Sequence, residues 1–170
     1  ITGGWDLGKK RHPSHFVVFE TKGGTSRQLH SKWMEGWDYA NKTGEYDPSH
    51  PTQLEYVKLC MEVFGIDLVQ YDATRGELEG LKDAKKLPDE MEDVIFTQKR
   101  MVAMATTLSD RVTHQTVRFL EDDRQIKQML AVNNSLKAIE TPLGHGDSFW
   151  STAMSLPDRE EEEEAFVVIG

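Results

Sequence analysis

Short apolar runs alternate with glycine and polar breaks along the first third of the chain. Residues 2–7 and His15-Phe16-Val17-Val18-Phe19-Glu20 read as strands, the second rich in β-branched and aromatic residues. Lys22-Gly23-Gly24-Thr25 reads as a hairpin turn. From Arg27 to Met34, Leu29, Ser31 and Trp33 alternate with Gln28, His30 and Lys32, which predicts a half-exposed third strand. Residues 36–51, punctuated by Gly36, Gly44, Pro48 and Pro51, predict a loop.

The period then changes. Thr52 is placed to cap a helix running to Phe64, with Cys60 among Leu54, Val57, Met61 and Phe64 at helical spacing and Gly65 as its stop. Ile66 to Tyr71 predicts a strand ending at Asp72, and Glu77 to Lys82 a short helical piece. Val94-Ile95-Phe96 predicts a strand, and Gln98 to Asp110 a helix with Met101, Met104, Ala105 and Leu108 on one face. Residues 115–120 read as extended, Asp122 or Asp123 as the start of a helix through Leu130, and Ser135 to Glu140 as a strand. Asp147 opens a last helix to Leu156, stopped by Pro157. Three strands with tight turns, then helices alternating with strands, give a mixed-sheet α/β pattern.

Composition narrows this little. At 170 residues the chain is sized for one domain, taken as 1–157, with an acidic tail at 158–170. The net charge is −9, of which the tail supplies −5, and this argues against a protein that coats nucleic acid nonspecifically. Basic residues still cluster at Lys9-Lys10-Arg11, at Lys82 with Lys85-Lys86, and at Lys99-Arg100. Cys60 is the one cysteine, so neither an internal disulfide nor a zinc knuckle is expected, and its apolar neighbours point to a buried thiol. No apolar run approaches the ~20 residues of a membrane-spanning helix. No signal peptide opens the chain, and its first residue, Ile1, suggests a piece of a longer protein.

The candidate chemistry lies in aspartates at element ends: Asp6 closing the first strand, Asp72 closing the fourth, and Asp147 opening the last helix. If the first and fourth strands are parallel neighbours, their ends lie about 5 Å apart. A helix crossing that edge would add Asp147. Three crowded carboxylates repel unless a cation neutralises them. Oxygen ligands select Mg²⁺ or Mn²⁺, and two such ions about 3.5–4 Å apart would suit phosphodiester hydrolysis. The residues alone leave other roles open: Asp6 as a turn residue, Asp72 as an Asx turn, Asp147 as a helix cap.

Asp6-Leu7-Gly8-Lys9-Lys10-Arg11-His12-Pro13-Ser14-His15-Phe16-Val17-Val18-Phe19 resembles the opening of the nuclease domain of tailed-bacteriophage large terminase subunits. Tyr71-Asp72-Ala73-Thr74-Arg75-Gly76-Glu77-Leu78 resembles that family's second acidic motif, and the stretch from Gly144-His145-Gly146-Asp147 to Leu156 its third. The similarity spans residues 2 to about 157. It implies an RNase H-like mixed β-sheet, three antiparallel strands then parallel strands, flanked by helices. It also implies a two-metal endonuclease that cuts concatemeric viral double-stranded DNA during genome packaging, with Asp6, Asp72 and Asp147 as catalytic metal ligands. The implied partners are the terminase ATPase domain, the small terminase subunit and the capsid portal, in the cytoplasm of an infected bacterium. Some members carry a second acid just before the third, where this chain has His145-Gly146. The ATPase has no counterpart here, since no G-x-x-x-x-G-K-[ST] occurs.

Lys9, Lys10, Arg11 and Arg75 are candidate contacts to DNA phosphates. His12 and His15, separated by Pro13-Ser14, read as a loop-to-strand junction rather than a metal pair, and His145 as a turn residue. Trp5, Trp33, Trp37 and Trp150 read as core or cover. Rival readings are another RNase H-fold enzyme such as a junction resolvase or transposase core, an actin-like phosphate loop, and a non-catalytic module docking DNA or a portal.

Overall fold

Pairing begins with β1 (Thr2–Asp6), which runs antiparallel to β2 (Ser14–Lys22); β2 in turn pairs antiparallel with β3 (Thr25–Met34). The chain continues through α1 (Gln53–Phe64), β4 (Leu68–Asp72), α2 (Glu79–Asp83), β5 (Met91–Val94), α3 (Gln98–Thr113), β6 (Val117–Arg118), α4 (Asp123–Leu130) and α5 (Asp147–Ser155). This computed structural model describes residues 1–8, 13–133, 135–137 and 146–156. The predicted domain boundary at 157 and the acidic tail lie outside them.

The six strands lie in the order β5-β4-β1-β2-β3-β6. β4 is parallel to β1, β5 to β4 and β6 to β3. Three antiparallel strands followed by parallel ones, with helices on both faces, form the RNase H-like sheet that the resemblance implied.

One face is covered by α1, whose Leu54, Val57 and Cys60 pack on Trp5, Phe16, Val18, Val69 and Tyr71. The other carries α3 and α5, where Met104, Leu108, Trp150, Ala153 and Met154 meet Val17 and Phe19. Successive strand residues point to opposite faces, so the unbroken run Phe16-Val17-Val18-Phe19 is apolar because both faces are covered.

α5 comes unusually close to β1. A Cβ built on Gly4 would stand 1.8 Å from the Ser151 carbonyl oxygen and 2.9 Å from the Ser155 nitrogen. Glycine weakens a strand interior, and its use here marks a close backbone approach. The Thr2 hydroxyl donates to the Ser155 carbonyl at 2.5 Å, fixing the direction of the crossing.

Most predicted elements form, with several differences. Gly65 ends α1 in the left-handed conformation as expected, but Thr52 does not cap through its side chain. Its hydroxyl donates instead to Glu55 Oε2 at 2.5 Å. The strand expected at Val94-Ile95-Phe96 is Met91–Val94: pairing of Met91 with Val69 sets the register, and Ile95 is left exposed. The helix expected from Glu77 begins at Glu79, and the one expected to end at Asp110 continues to Thr113. Residues 135 and 136 are turn and bend, 137 is irregular, none is strand, and 138–140 lie outside the described residues. The expected alternation of β3 is broken by an irregularity opposite Val18 and Phe19, which turns Gln28 inward.

Candidate functional site

Register brings the acids together. Trp5 lies opposite Tyr71 in the β1–β4 pair, and both belong to the core under α1. The next residues, Asp6 and Asp72, therefore end neighbouring parallel strands and point to the α5 face, on strands about 4.8 Å apart. α5 runs back along β1, with Ser155 at Thr2 and Ser151 at Gly4. Two further residues of strand advance about 6.6 Å, and four residues of helix about 6 Å. The next step in that match sets Asp147 over Asp6. All three aspartates are buried, at 7%, 8% and 8% exposure for Asp6, Asp72 and Asp147.

Electrostatics agree with this placement. The Asp6 carboxyl is raised well above the usual carboxylate range, first by burial, then by Asp147 and by Asp72. Arg75 pulls it down and Glu77 pushes it up, so both also stand in its field. Asp72 Oδ1 accepts the Thr74 N–H at 2.8 Å, which makes Asp72 an Asx turn as well as a member of the cluster. Asp147 occupies the first turn of α5, where the helix dipole favours a negative charge.

Among the described residues no three His, Cys, Asp or Glu side chains converge closely enough to hold a metal ion as they stand. Mutual repulsion opposes such convergence. The donor set itself, all carboxylate oxygen carried on three separate elements, is the kind a hard divalent cation takes.

Glu77 and Tyr39 belong to this neighbourhood and were not singled out in the sequence. The Tyr39 hydroxyl donates to the Gly8 carbonyl at 2.7 Å, pinning the loop after β3 to the segment after β1. Burial pushes the Tyr39 phenol up, and Glu77 adds to it while Arg75 opposes. Glu77 appears in the sequence only within the second acidic motif and at the start of a short helical piece; Tyr39 carries no signal. Arg75 also lines an open cleft of about 450 Å³, shared with Thr74, Lys82, Asp83 and Asp93. Lys82 there is paired with Asp93 at 2.5 Å.

Lys9, Lys10, Arg11, His12 and His145 lie outside the described residues. His15 is a buried bridge: Nδ1 lies 2.6 Å from Ser151 Oγ and Nε2 2.9 Å from Ser31 Oγ. Ser151 spends its own proton on the Ser148 carbonyl at 3.2 Å, so Nδ1–H donates to Ser151 and Nε2 accepts from Ser31. Burial pushes the His15 imidazole down to about 3, leaving it neutral. The Cys60 thiol is buried and pushed up, as a core residue should be. Trp5 and Trp150 are core, while Trp33 and Trp37 are half-buried.

No family model matches the chain, and no curated protein matches it. Among solved structures it is similar to the large terminase nuclease from thermophilic phage G20c. That match has 19% identity, covers 91% of this chain and 79% of that one, and has a TM-score of 0.64. The same nuclease with bound magnesium gives 18% identity, 91% and 78% coverage and a TM-score of 0.66. That protein has also been solved with bound zinc and with bound cobalt. The large terminase from thermophilic bacteriophage D6E gives 10% identity over 92% of this chain and 39% of that one, with a TM-score of 0.53. At these identities the likeness is one of fold, and the fold is that of the terminase nuclease domain.

Proposed function

We propose that this chain is a divalent-metal-dependent endonuclease domain acting on double-stranded DNA, the nuclease part of a phage large terminase. The observation that carries the reading is the crossing of α5 over β1, which sets Asp147 above the sheet edge where Asp6 and Asp72 end adjacent strands. The G20c nuclease, similar in fold and solved with divalent metals, supports it.

In this reading Asp6, Asp72 and Asp147 would hold one or two Mg²⁺ or Mn²⁺ ions, drawn together by side-chain rotation. Bound there, the metal supplies activation of water and stabilisation of the leaving oxygen at the scissile phosphate. The chain's own residues do the rest. Gly4 lets α5 lie low enough for Asp147 to reach the sheet edge. The Thr74 N–H orients Asp72 through Oδ1. Arg75, exposed beside the carboxylates, meets a DNA phosphate and offsets the local negative charge, while Lys9, Lys10 and Arg11, three to five residues after Asp6 in sequence, are taken to add to that contact. By the same resemblance the ATPase domain, small subunit and portal are partners in the host cytoplasm, and residues 158–170 form an acidic tail beyond the nuclease domain.

Supercoiled plasmid incubated with the chain in EDTA, Mg²⁺ or Mn²⁺ tests this. Nicking and linearisation in either metal and none in EDTA are expected. Intact plasmid in both metals, with folded protein, refutes it. Preference for a four-way junction over linear duplex would favour the resolvase reading instead.

A further inference from the structure

α4 is turned the wrong way round for its composition. Its buried positions are Gln125 and Gln128, each 1% exposed, while Ile126 and Leu130 face solvent at 43% and 80%. Residues at 100° per step place Ile126 and Leu130 on one shared stripe, so a rotated α4 would bury two aliphatic side chains in place of two amides. Burying an amide is tolerable only when its hydrogen bonds are made. Two of the bonds on this face run to the start of α5.

Gln128 Oε1 accepts the Ser148 N–H at 3.1 Å, and the Ser148 hydroxyl donates to the Gln125 carbonyl at 3.1 Å. Ser148 directly follows Asp147. The helix enters from Gly146, whose φ of +85° lies in the left-handed region, and Gly146 has no side chain with which to cap it. The first-turn N–H groups of a helix have no partner within the helix. Here a side chain from another helix supplies one.

We propose that Gln128 is a positioning residue for the candidate metal site. Its carbonyl oxygen caps the first turn of α5 from outside and so fixes the pitch and rotation at which Asp147 is presented to Asp6 and Asp72. The proposal rests on the nuclease reading above. Gln125 supplies a contrast: its side chain accepts from Gln28 Nε2 at 2.9 Å and donates to Thr152 Oγ1 at 3.4 Å, further along α5.

Mn²⁺ binding by calorimetry without DNA, and plasmid nicking across a Mn²⁺ series, test it with three variants. Gln128→Met keeps the volume but loses the acceptor. It should weaken Mn²⁺ binding and raise the Mn²⁺ midpoint for nicking by about tenfold, as loss of a residue supporting a metal ligand does, with the rate at saturating Mn²⁺ nearly kept. Gln128→Glu retains an acceptor oxygen and should bring the midpoint back most of the way to the parent's. Gln125→Met should lower Tm without moving the midpoint. An unchanged midpoint in Gln128→Met, or an equal shift in Gln125→Met, overturns the positioning role while leaving the nuclease reading intact. If the parent chain neither binds Mn²⁺ nor nicks plasmid, the nuclease reading itself has failed.

Discussion

The two faces of the sheet are built on different principles. Under α1 the contacts are large and apolar: Trp5, Phe16, Leu54, Val57 and Tyr71 fill space with little directional demand. Under α5 an apolar patch around Trp150 and Met154 gives way to Gly4, His15, Ser148, Ser151, Thr152 and Ser155, all buried and tied by hydrogen bonds. Apolar burial stabilises without fixing a rotation, because it scales with area. Hydrogen bonds at 2.6–3.2 Å fix both distance and angle. The face on which α5 brings Asp147 over Asp6 and Asp72 is the polar one, and the α1 face supplies apolar burial.

Adjacent glycines put this contrast to its strongest test. The Cβ of Gly4→Ala would meet the Ser151 carbonyl oxygen at 1.8 Å, and only a shift of α5 relieves that. In Gly3→Ala the nearest atoms are side-chain carbons of Phe16 and Val69 at 3.1 Å. We expect Gly4→Ala to cost more than about 3 kcal/mol in urea unfolding, and Gly3→Ala about 1–2 kcal/mol. Any Gly4→Ala protein that folds should have lost metal-dependent cutting. Equal costs, or full cutting by Gly4→Ala, would remove the distinction between the faces.

Acid pH should strike the α5 face through His15. The folded protein keeps this imidazole neutral down to about 3, whereas the unfolded chain takes up a proton near the ordinary 6.5. Stability from the neutral bridge is thus fully present above pH 6.5 and is lost as pH falls toward 3. Between pH 7 and pH 4 the loss should be about 3 kcal/mol, at 1.36 kcal/mol per unit. His15→Asn has no such proton to gain. Its stability should fall less over the same range, by about that difference, in parallel urea titrations. Identical slopes would show that the bridge is not what acid breaks.

The contrast between the faces also explains what the sequence revealed. Strands and helices packed by periodicity were readable: Phe16-Val17-Val18-Phe19, the α1 stripe closed by Gly65, and α4 begun by Asp122. Asp6 and Asp72 were visible because strand ends are marked by a change in hydropathy. Elements fixed by partners far along the chain were not. β5 begins at Met91 because it pairs with Val69, and the charged Glu92 and Asp93 shifted the expected strand to Val94-Ile95-Phe96. Gln28 looked like a solvent residue because an irregular step in β3 cannot be seen in an alternation. Which face of α4 is buried could not be read, since the partners of Gln125 and Gln128 — Gln28, Thr152 and Ser148 — lie elsewhere in sequence. Glu77 and Tyr39 join the site only through the folding of loops around Arg75 and Gly8.

The smallest change in stability is expected at the acids themselves, and its sign separates a functional cluster from a structural one. Burial, then Asp147 and Asp72, hold the Asp6 carboxyl above its ordinary range. Between the ordinary carboxylate pKa and that raised value, the folded state keeps a proton that the unfolded chain has shed. Stability therefore falls as pH rises through this window and stays lower above it. Asp6→Asn removes the charge at nearly constant shape, so its Tm at neutral pH should equal the parent's or exceed it by a few degrees, and the two should converge near pH 3. Asp93 makes the opposite case: its hydrogen bond with Lys82 lowers its pKa, so Asp93→Asn should lose a little stability at neutral pH and keep cutting. Asp6→Asn should fold and fail to nick plasmid, as should Asp72→Asn and Asp147→Asn. A lower Tm at neutral pH in Asp6→Asn would make that acid a structural member of the polar face. Near-normal cutting by any one of the three would remove it from the metal set.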